Sequence, residues 1–191
     1  MCVGFDLVCE EDKYPTTDEY VELIIEARAR IGADKMNLFL HAGESDMRSN
    51  TALFDAVLLG CKRIGHGFAL INHPVLLDMV KENNICLEVC PVSNDLLGYQ
   101  HDMRTHPVRH LLTKGVKCSI NPDDNGFFNS PGVTLDFVEA YMSWDLDLSD
   151  LKSLAINSLE FASISQQEKD DLFVFFEGRW RRFLTYVRSR F

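Results

Sequence analysis

Short apolar runs alternate with amphipathic stretches along the first two thirds of this chain. Strand-like runs occur at residues 3–8, 37–40, 63–64, 85–89 and 116–120. Between most of them, apolar residues recur at the spacing of one helix face. Strand–helix alternation at intervals of roughly 25–35 residues predicts a parallel sheet covered by helices.

Capping and turn residues predict where the helices begin and end. Thr17 is expected to cap the first helix, and Gly32 is expected to end it. A later helix opens at Pro74, because proline suits the first helical turn. Another is predicted to extend from Pro107 to Gly115.

The pattern changes after the fifth strand, where only helices are predicted, at residues 134–144, 149–158 and 165–187. Ser165 and Glu168 form a capping box for the last of them. That helix carries an apolar stripe expected to face the core: Phe173, Phe176, Trp180, Phe183 and Val187. Five strands would suit an open doubly wound sheet or part of an eight-stranded barrel, so the motifs must decide.

Charge and hydropathy exclude two classes of partner. The formal net charge is −10 and the lysines and arginines are scattered, so we expect no nucleic-acid surface, which needs clustered cations. No apolar run reaches the length of a membrane span, so no membrane partner is expected. Residues 1–9 lack the basic and uninterrupted apolar regions of a signal peptide.

The six cysteines are predicted to be reduced thiols. They are Cys2, Cys9, Cys61, Cys86, Cys90 and Cys118. None forms a CxxC pair, which argues against a cysteine zinc site. Most stand in or beside apolar strand-like runs, where cysteine behaves as a small buried apolar residue.

Polar clusters follow four of the predicted strands. They are HAGE at residues 41–44, GHG at 65–67, CPVSN at 90–94 and DD at 123–124. In a parallel barrel, side chains at the carboxyl ends of the strands converge on one pocket. Two histidines and three carboxylates meeting there suit a divalent metal and a proton donor. Nitrogen and oxygen ligands without cysteine favour Zn²⁺ of the hydrolytic kind.

In their order and spacing, HAGE, RIGHG, EVCPVSN and the strand-end DD resemble the adenosine deaminase family. The segments GFDLV, RIGHGFAL, DMRTHPVRHLL and RWRRFL resemble its growth-factor-type branch, the secreted adenosine deaminases. The resemblance implies an α/β fold, an incomplete TIM-type (β/α)8 barrel with C-terminal helices. Residues 5–8 would form strand four and residues 118–122 strand eight. Residues 1–191 would be the C-terminal part of a single metal-dependent deaminase barrel domain.

The same resemblance implies hydrolytic deamination of adenosine, and of deoxyadenosine, to inosine and ammonia. His41 and Asp123 would be ligands of Zn²⁺. Glu44 would protonate the purine ring at N1, which requires a carboxylic acid kept protonated in a closed pocket. His66 would orient and deprotonate the attacking water.

Three residues are expected at the substrate. Asp124 would hydrogen-bond N7 of the base, and Gly43 would allow close approach beside Glu44. Cys9 stands where the family has a glycine whose N–H reaches the base. The proline that usually follows the aspartate pair is here Asn125.

The family takes two further zinc ligands from a His-x-His pair, and no two of the six histidines here are two residues apart. The isolated chain is therefore expected to be inactive. One alternative is a non-catalytic extracellular growth-factor-like or binding protein that keeps the deaminase fold. Another is a metal-dependent amidohydrolase acting on a different amide or ring. For the full-length protein, the family implies an extracellular location and allows a homodimer.

Overall fold

The computed structural model describes residues 2–32, 35–47, 50–130 and 132–190. Within these ranges the strands are β1 Gly4–Phe5, β2 Asn37–Leu38, β3 His41–Ala42, β4 Arg63–His66, β5 Cys86–Val89 and β6 Lys117–Ile120. Ladders join β1 to β2 and join β3, β4, β5 and β6 in that order, and every pair is parallel.

The two ladders form one continuous sheet, because β2 and β3 are parts of the same extended segment. On one side of it, Phe39 N donates to Phe5 O at 3.0 Å and His41 N donates to Leu7 O at 3.2 Å. On the other side, Lys62 N donates to Leu38 O at 3.0 Å. The predicted five parallel strands are thus confirmed, in the order of the chain.

The sheet is an open part of a barrel. Among the described residues, β1 and β6 each have a strand neighbour on one side only. Apolar side chains are correspondingly exposed along the first strand, where Val3 is 48% and Val8 is 61% exposed. The predicted incomplete α/β barrel is therefore confirmed.

The helices are α1 Val21–Ile31, α2 Ala52–Leu58, α3 Pro74–Glu82, α4 Pro91–Leu96, α5 Val108–Thr113, α6 Thr134–Ser143, α7 Leu148–Glu160 and α8 Gln166–Arg188. Gly32 ends α1 with φ of 101°, a conformation that glycine adopts readily, and Pro74 occupies the first turn of α3, both as predicted. The three tail helices and the capping box at Ser165 and Glu168 are also confirmed.

One expectation about the helices is wrong, and one helix was not predicted. Thr17 does not cap α1, because a 3-10 turn at Thr17–Tyr20 precedes the helix and buries this side chain. The helix α4 was not predicted, since its first turn consists of the polar CPVSN motif rather than an apolar pattern.

The stripe on α8 faces α7 but is not core. No residue of α8 is buried, and Phe183 is 42% exposed. One neighbouring helix covers only a narrow strip of another, so the remaining apolar residues stay accessible.

The main core lies between the sheet and its covering helices. Leu38, Leu40, Ile64 and Leu87 are fully buried in it. Cys61, Cys86, Cys90 and Cys118 are buried free thiols, as predicted, whereas Cys2 and Cys9 are free but exposed. Of the helices described, none combines the length and the apolar character needed to cross a bilayer.

Candidate active site

One cavity of about 470 Å³ lies at the carboxyl ends of β3, β4 and β6. Its lining contains five residues named from the motifs: His41, Glu44, His66, Asp123 and Asp124. Val8, Cys9, Glu10, Leu97 and Tyr99 complete it. A larger open groove of about 850 Å³ includes Cys2, Asn37 and Lys62 and lies at the opposite ends of the strands. The structure therefore brings the motif residues together at the predicted edge of the sheet.

Three of these side chains form a cluster able to hold a metal ion. One ligand atom each from His41, His66 and Asp123 lies within 4.8 Å of the other two. Two imidazoles and a carboxylate are donors that Zn²⁺ accepts, and a catalytic zinc site leaves a position open for water. His41 and Asp123 thus fit two of the ligand positions of a hydrolytic zinc ion, with His66 beside them.

His41 is held by a carboxylate that lies outside the four polar motifs. Its Nδ1 lies 3.1 Å from both carboxylate oxygens of Asp6, one strand away. Burial alone would lower the pKa of His41, but the hydrogen bond and the charge of Asp6 outweigh it and raise the pKa. A carboxylate accepts hydrogen bonds, so Nδ1 carries the proton and Nε2 keeps its lone pair for a metal. The signal for Asp6 was a charge inside an apolar strand.

Gly65 makes room for the His41 ring. These two residues are paired in the β3–β4 ladder, and a β-carbon on Gly65 would lie 2.8 Å from Cγ of His41. Real β-carbon contacts are essentially never below 3.0 Å, so any other residue here would displace the imidazole. The glycine before His66 therefore positions a side chain on the next strand.

His66 is buried at the base of the cavity. Its Nε2 lies 3.3 Å from Oε1 of Glu44 and 3.8 Å from Oδ2 of Asp123. On the other side of the ring, Nδ1 lies 3.4 Å from Nδ2 of Asn94. Burial, followed by the nearby charge of His41, lowers the pKa of His66 to about 3, so its ring is neutral at physiological pH.

Glu44 combines burial with crowding by like charges. Burial is the larger cause and the charge of Asp123 the next, and together they raise the pKa of Glu44 to about 7. Its Oε1 is buried and makes no hydrogen bond. A carboxyl group in this state is partly protonated at neutral pH and can donate a proton to a bound base.

An acidic loop after the first strand, at residues 10–12, holds the segment that carries Glu44. Ser45 Oγ donates to Oδ1 of Asp12 at 2.8 Å, and Asn50 Nδ2 donates to Oε2 of Glu11 at 2.6 Å. These contacts were not predicted, because no local pattern connects residues 11 and 12 with residues 43–50.

Gly43 is set slightly apart from the other motif residues. It has φ of 71° and lines the neighbouring cavity, beside Leu53 and Phe54, rather than the cavity that contains His41. Its main contribution in this structure is the turn after β3 that directs Glu44 into the site.

Two site residues adopt a backbone conformation that side chains disfavour. His66 has φ of 61° and Asp123 has φ of 52°. Left-handed backbone at a residue other than glycine costs about 1 kcal/mol and is concentrated at functional sites. Asp123 bends the chain after β6, and Asp124 follows it on the exposed rim of the cavity.

The rim of the cavity is acidic. Cys9 and Glu10 contribute to it from the end of the first strand, and Asp124 lies in the lining as well. Among the described residues that line this cavity there is no lysine or arginine. The rim therefore favours cationic or neutral ligands over anionic ones.

Comparison with known proteins gives consistent results. A family model described as adenosine deaminase matches residues 1–174. The chain is 41% identical over 189 residues to adenosine deaminase 2 of Dictyostelium discoideum, covering 97% of this chain and 35% of that protein. It thus spans about a third of the length of this curated relative.

Solved structures with the same fold include two barrel enzymes. Adenine deaminase from Arthrobacter aurescens is 25% identical with a TM-score of 0.77, over 89% of this chain and 50% of that one. An amidohydrolase from Burkholderia ambifaria, solved with bound zinc, is 21% identical with a TM-score of 0.78, over 96% of this chain and 50% of that one.

Proposed function

This chain belongs to the adenosine deaminase family, in its growth-factor-type branch, and we propose that it forms the C-terminal part of a zinc-dependent barrel that deaminates adenosine. The products are inosine and ammonia. The observation that carries this proposal is the buried Glu44 carboxyl group, with its raised pKa, beside the cluster of His41, His66 and Asp123.

Glu44 is the proposed proton donor. Attack at C6 of a purine increases electron density on N1, so a protonated carboxyl group next to that nitrogen lowers the barrier. Burial is the larger cause of the raised pKa of Glu44, and repulsion by Asp123 adds to it, so Glu44 keeps part of its proton at neutral pH. A carboxylate in open solvent could not supply this proton at neutral pH.

His41 Nε2 and Asp123 are the proposed zinc ligands in this chain, with Asp6 orienting the His41 ring. When bound, zinc lowers the pKa of a water molecule to about 7, which supplies hydroxide at neutral pH. His66 lies between the two carboxylates and is placed to orient the attacking oxygen through Nε2.

The substrate is proposed to be a neutral purine nucleoside, adenosine or deoxyadenosine. Asp124 is the proposed partner of N7, and Cys9 lies where the base would approach. Glu10 and Asp124 would repel a 5′-phosphate, and the described lining offers no cation to bind one. The acidic rim therefore favours nucleosides over nucleotides.

Two further zinc ligands must come from outside these 191 residues, because they contain no His-x-His. We therefore propose that the 191-residue polypeptide alone binds zinc weakly and does not deaminate. The test compares ammonia release and zinc content of this polypeptide with those of the protein at its full natural length. Zinc-loaded full-length protein that never deaminates a purine nucleoside would instead support the non-catalytic extracellular binding protein. Cys9 would then be the first residue to test as the cause of the lost activity.

The extracellular location and the homodimer expected from the growth-factor-type branch remain proposals for the full-length protein. Both can be measured on that protein, the first by secretion from its native cells and the second by sedimentation.

A further inference from the structure

A chain of four groups leads from the backbone of α5 to the ring of His66. Val108 N lies 3.2 Å from Nδ1 of His106. Nε2 of His106 lies 3.2 Å from Oδ1 of Asn94, and Nδ2 of Asn94 lies 3.4 Å from Nδ1 of His66. Of the three side chains in this chain of groups, only His66 has a role in the proposed chemistry.

The direction of every link follows from the first. A backbone N–H can only donate, so Nδ1 of His106 is the acceptor and its proton resides on Nε2. Nε2 then donates to Asn94, which fixes the oxygen of that carboxamide on the His106 side. The NH₂ group of Asn94 is left facing His66 and donates to Nδ1. A neutral imidazole that accepts at Nδ1 carries its proton on Nε2.

The reverse arrangement is excluded by the same reasoning. If His66 were protonated on Nδ1, the carboxamide of Asn94 would have to turn its oxygen toward His66. Its NH₂ group would then require an acceptor at Nε2 of His106. The proton of His106 would move to Nδ1, where it would meet the N–H of Val108, and two donors would face each other in a buried site.

We propose that Asn94 and His106 are positioning residues that hold His66 as the neutral tautomer protonated on Nε2. The catalytic consequence rests on the proposed function. His66 then offers an N–H, rather than a lone pair, to an oxygen between Glu44 and Asp123. It orients the attacking oxygen as a hydrogen-bond donor, rather than deprotonating it at Nε2 as the family resemblance implies, and is not a metal ligand through Nε2.

Burial and packing make the chain of groups rigid. His66, Asn94 and His106 are each at most 2% exposed. The His106 ring contacts Phe68 edge-on, with centroids 5.4 Å apart, and lies 5.3 Å from Trp144. Because these side chains are buried, solvent water does not compete for their hydrogen bonds, and the donor and acceptor of each bond stay fixed.

Asn94→Asp is the sharpest test, since it keeps the shape of the side chain and removes its only donor. A carboxylate still accepts from His106 but would draw a proton onto Nδ1 of His66. Long-range ¹H–¹⁵N spectra of histidine-labelled full-length protein, metal-free and zinc-loaded, distinguish protonated from unprotonated ring nitrogens. We expect Nδ1 of His66 to be unprotonated in the wild type and protonated in Asn94→Asp.

Two further variants separate a positioning role from a structural one. His106→Gln places an amide donor where Nε2 was and is expected to preserve the His66 tautomer, whereas His106→Leu is expected to lose it. Asn157→Asp is the matched control, because Asn157 is also a buried amide but donates to Cys118 O at 2.7 Å. It should disturb folding to a similar degree without moving the His66 proton.

The wild-type spectrum alone can overturn the proposal, if Nδ1 of His66 is found protonated. An unchanged His66 tautomer in folded Asn94→Asp would overturn it as well. In the deamination assay, Asn94→Asp should lower kcat about tenfold or more with a much smaller change in KM. If the wild type shows no deamination, the proposed function fails, and the spectra still decide the tautomer.

Discussion

The rings of His41 and His66 lie 5.1 Å apart at an angle of 59°, and their Nδ1 atoms contact partners of opposite hydrogen-bonding sense. The partner of His41 is the carboxylate of Asp6, and the partner of His66 is the NH₂ group of Asn94. Two neighbouring imidazoles thereby acquire different chemistry. We propose that His41 binds a metal and that His66 donates a hydrogen bond.

Asp6→Asn should weaken zinc binding by about 10–100-fold, because the carboxylate that accepts from Nδ1 of His41 and orients and polarises its ring is lost. The measurement is zinc competition with a chromogenic chelator on the full-length protein. Asp95→Asn is a matched control, since Asp95 also lies near a histidine Nδ1, 3.4 Å from exposed His101, away from the cavity. Equal zinc affinity in the wild type and Asp6→Asn would contradict the assignment.

In the full-length protein, Glu44→Gln should abolish measurable turnover of adenosine while zinc content stays at the wild-type level. The amide has nearly the same shape but cannot supply the proton for N1. Ammonia release and atomic absorption on the same sample give both quantities. Glu139→Gln, an exposed carboxylate on α6, should behave like the wild type. Loss of zinc together with activity in Glu44→Gln would instead make Glu44 a ligand.

Adenosine should be the better substrate than its 5′-monophosphate, with kcat/KM higher by about tenfold or more at low salt. The reason is the repulsion between the phosphate and the carboxylates of Glu10 and Asp124. The difference should shrink in Glu10→Gln and at high ionic strength, where surface charges are screened. A nucleotide preferred over the nucleoside would show that the acidic rim does not select the substrate.

The stability of the protein should fall as the pH decreases from about 6.5 toward about 4, in part because of His106. Burial lowers the pKa of His106 to about 4, so the unfolded chain binds this proton first. The stabilising contribution of the neutral His106 ring is complete above about pH 6.5. It is lost between about pH 6.5 and about pH 4, by about 2–3 kcal/mol of unfolding free energy.

Urea unfolding of the full-length protein at several pH values tests this for the wild type and His106→Gln, and the difference between the two curves isolates the histidine. The subtraction matters because Glu44, with its raised pKa, contributes the opposite slope, being stabilising at low pH and losing that effect as pH rises through about 7. Exposed His101 is the control, and His101→Gln should follow the wild-type curve. Parallel curves for His106→Gln and the wild type would exclude the effect.

The 191-residue polypeptide, made alone, should aggregate or melt without cooperativity. The described part of β1 has an open edge with Val3, Phe5 and Val8 exposed, and β6 has a second edge. Unpaired strand edges with apolar side chains promote association. Near-ultraviolet circular dichroism during heating is the measurement. A cooperative transition from a soluble monomer would show that five strands suffice.

Local sequence patterns predicted most of the scaffold, because their causes are local. The fixed φ of proline places the start of α3 at Pro74, and the permissive backbone of Gly32 ends α1. The convergence of His41, His66 and Asp123 also followed, since parallel strands bring their carboxyl ends to one edge.

The supporting residues of the site could not be found in this way. Asp6 contacts His41 from 35 residues away, and His106 lies 12 residues from Asn94, so their pairing depends on tertiary packing. His106 stands before Pro107 at the start of a helix, and this local signal does not indicate its pairing with Asn94. The prediction that the α8 stripe faces the core was wrong for a related reason. Periodicity shows that a helix face is apolar but not how much of it other elements will cover.

The left-handed backbone at His66 and Asp123 implies a trade-off between durability and activity. Both residues hold a conformation that a glycine or an asparagine would adopt more easily, and Asp123 adds repulsion against Glu44. In selection for thermal tolerance alone, these two positions would be among the first to change. Keeping His and Asp there is a sign that the site, and not the scaffold, has determined what these positions contain.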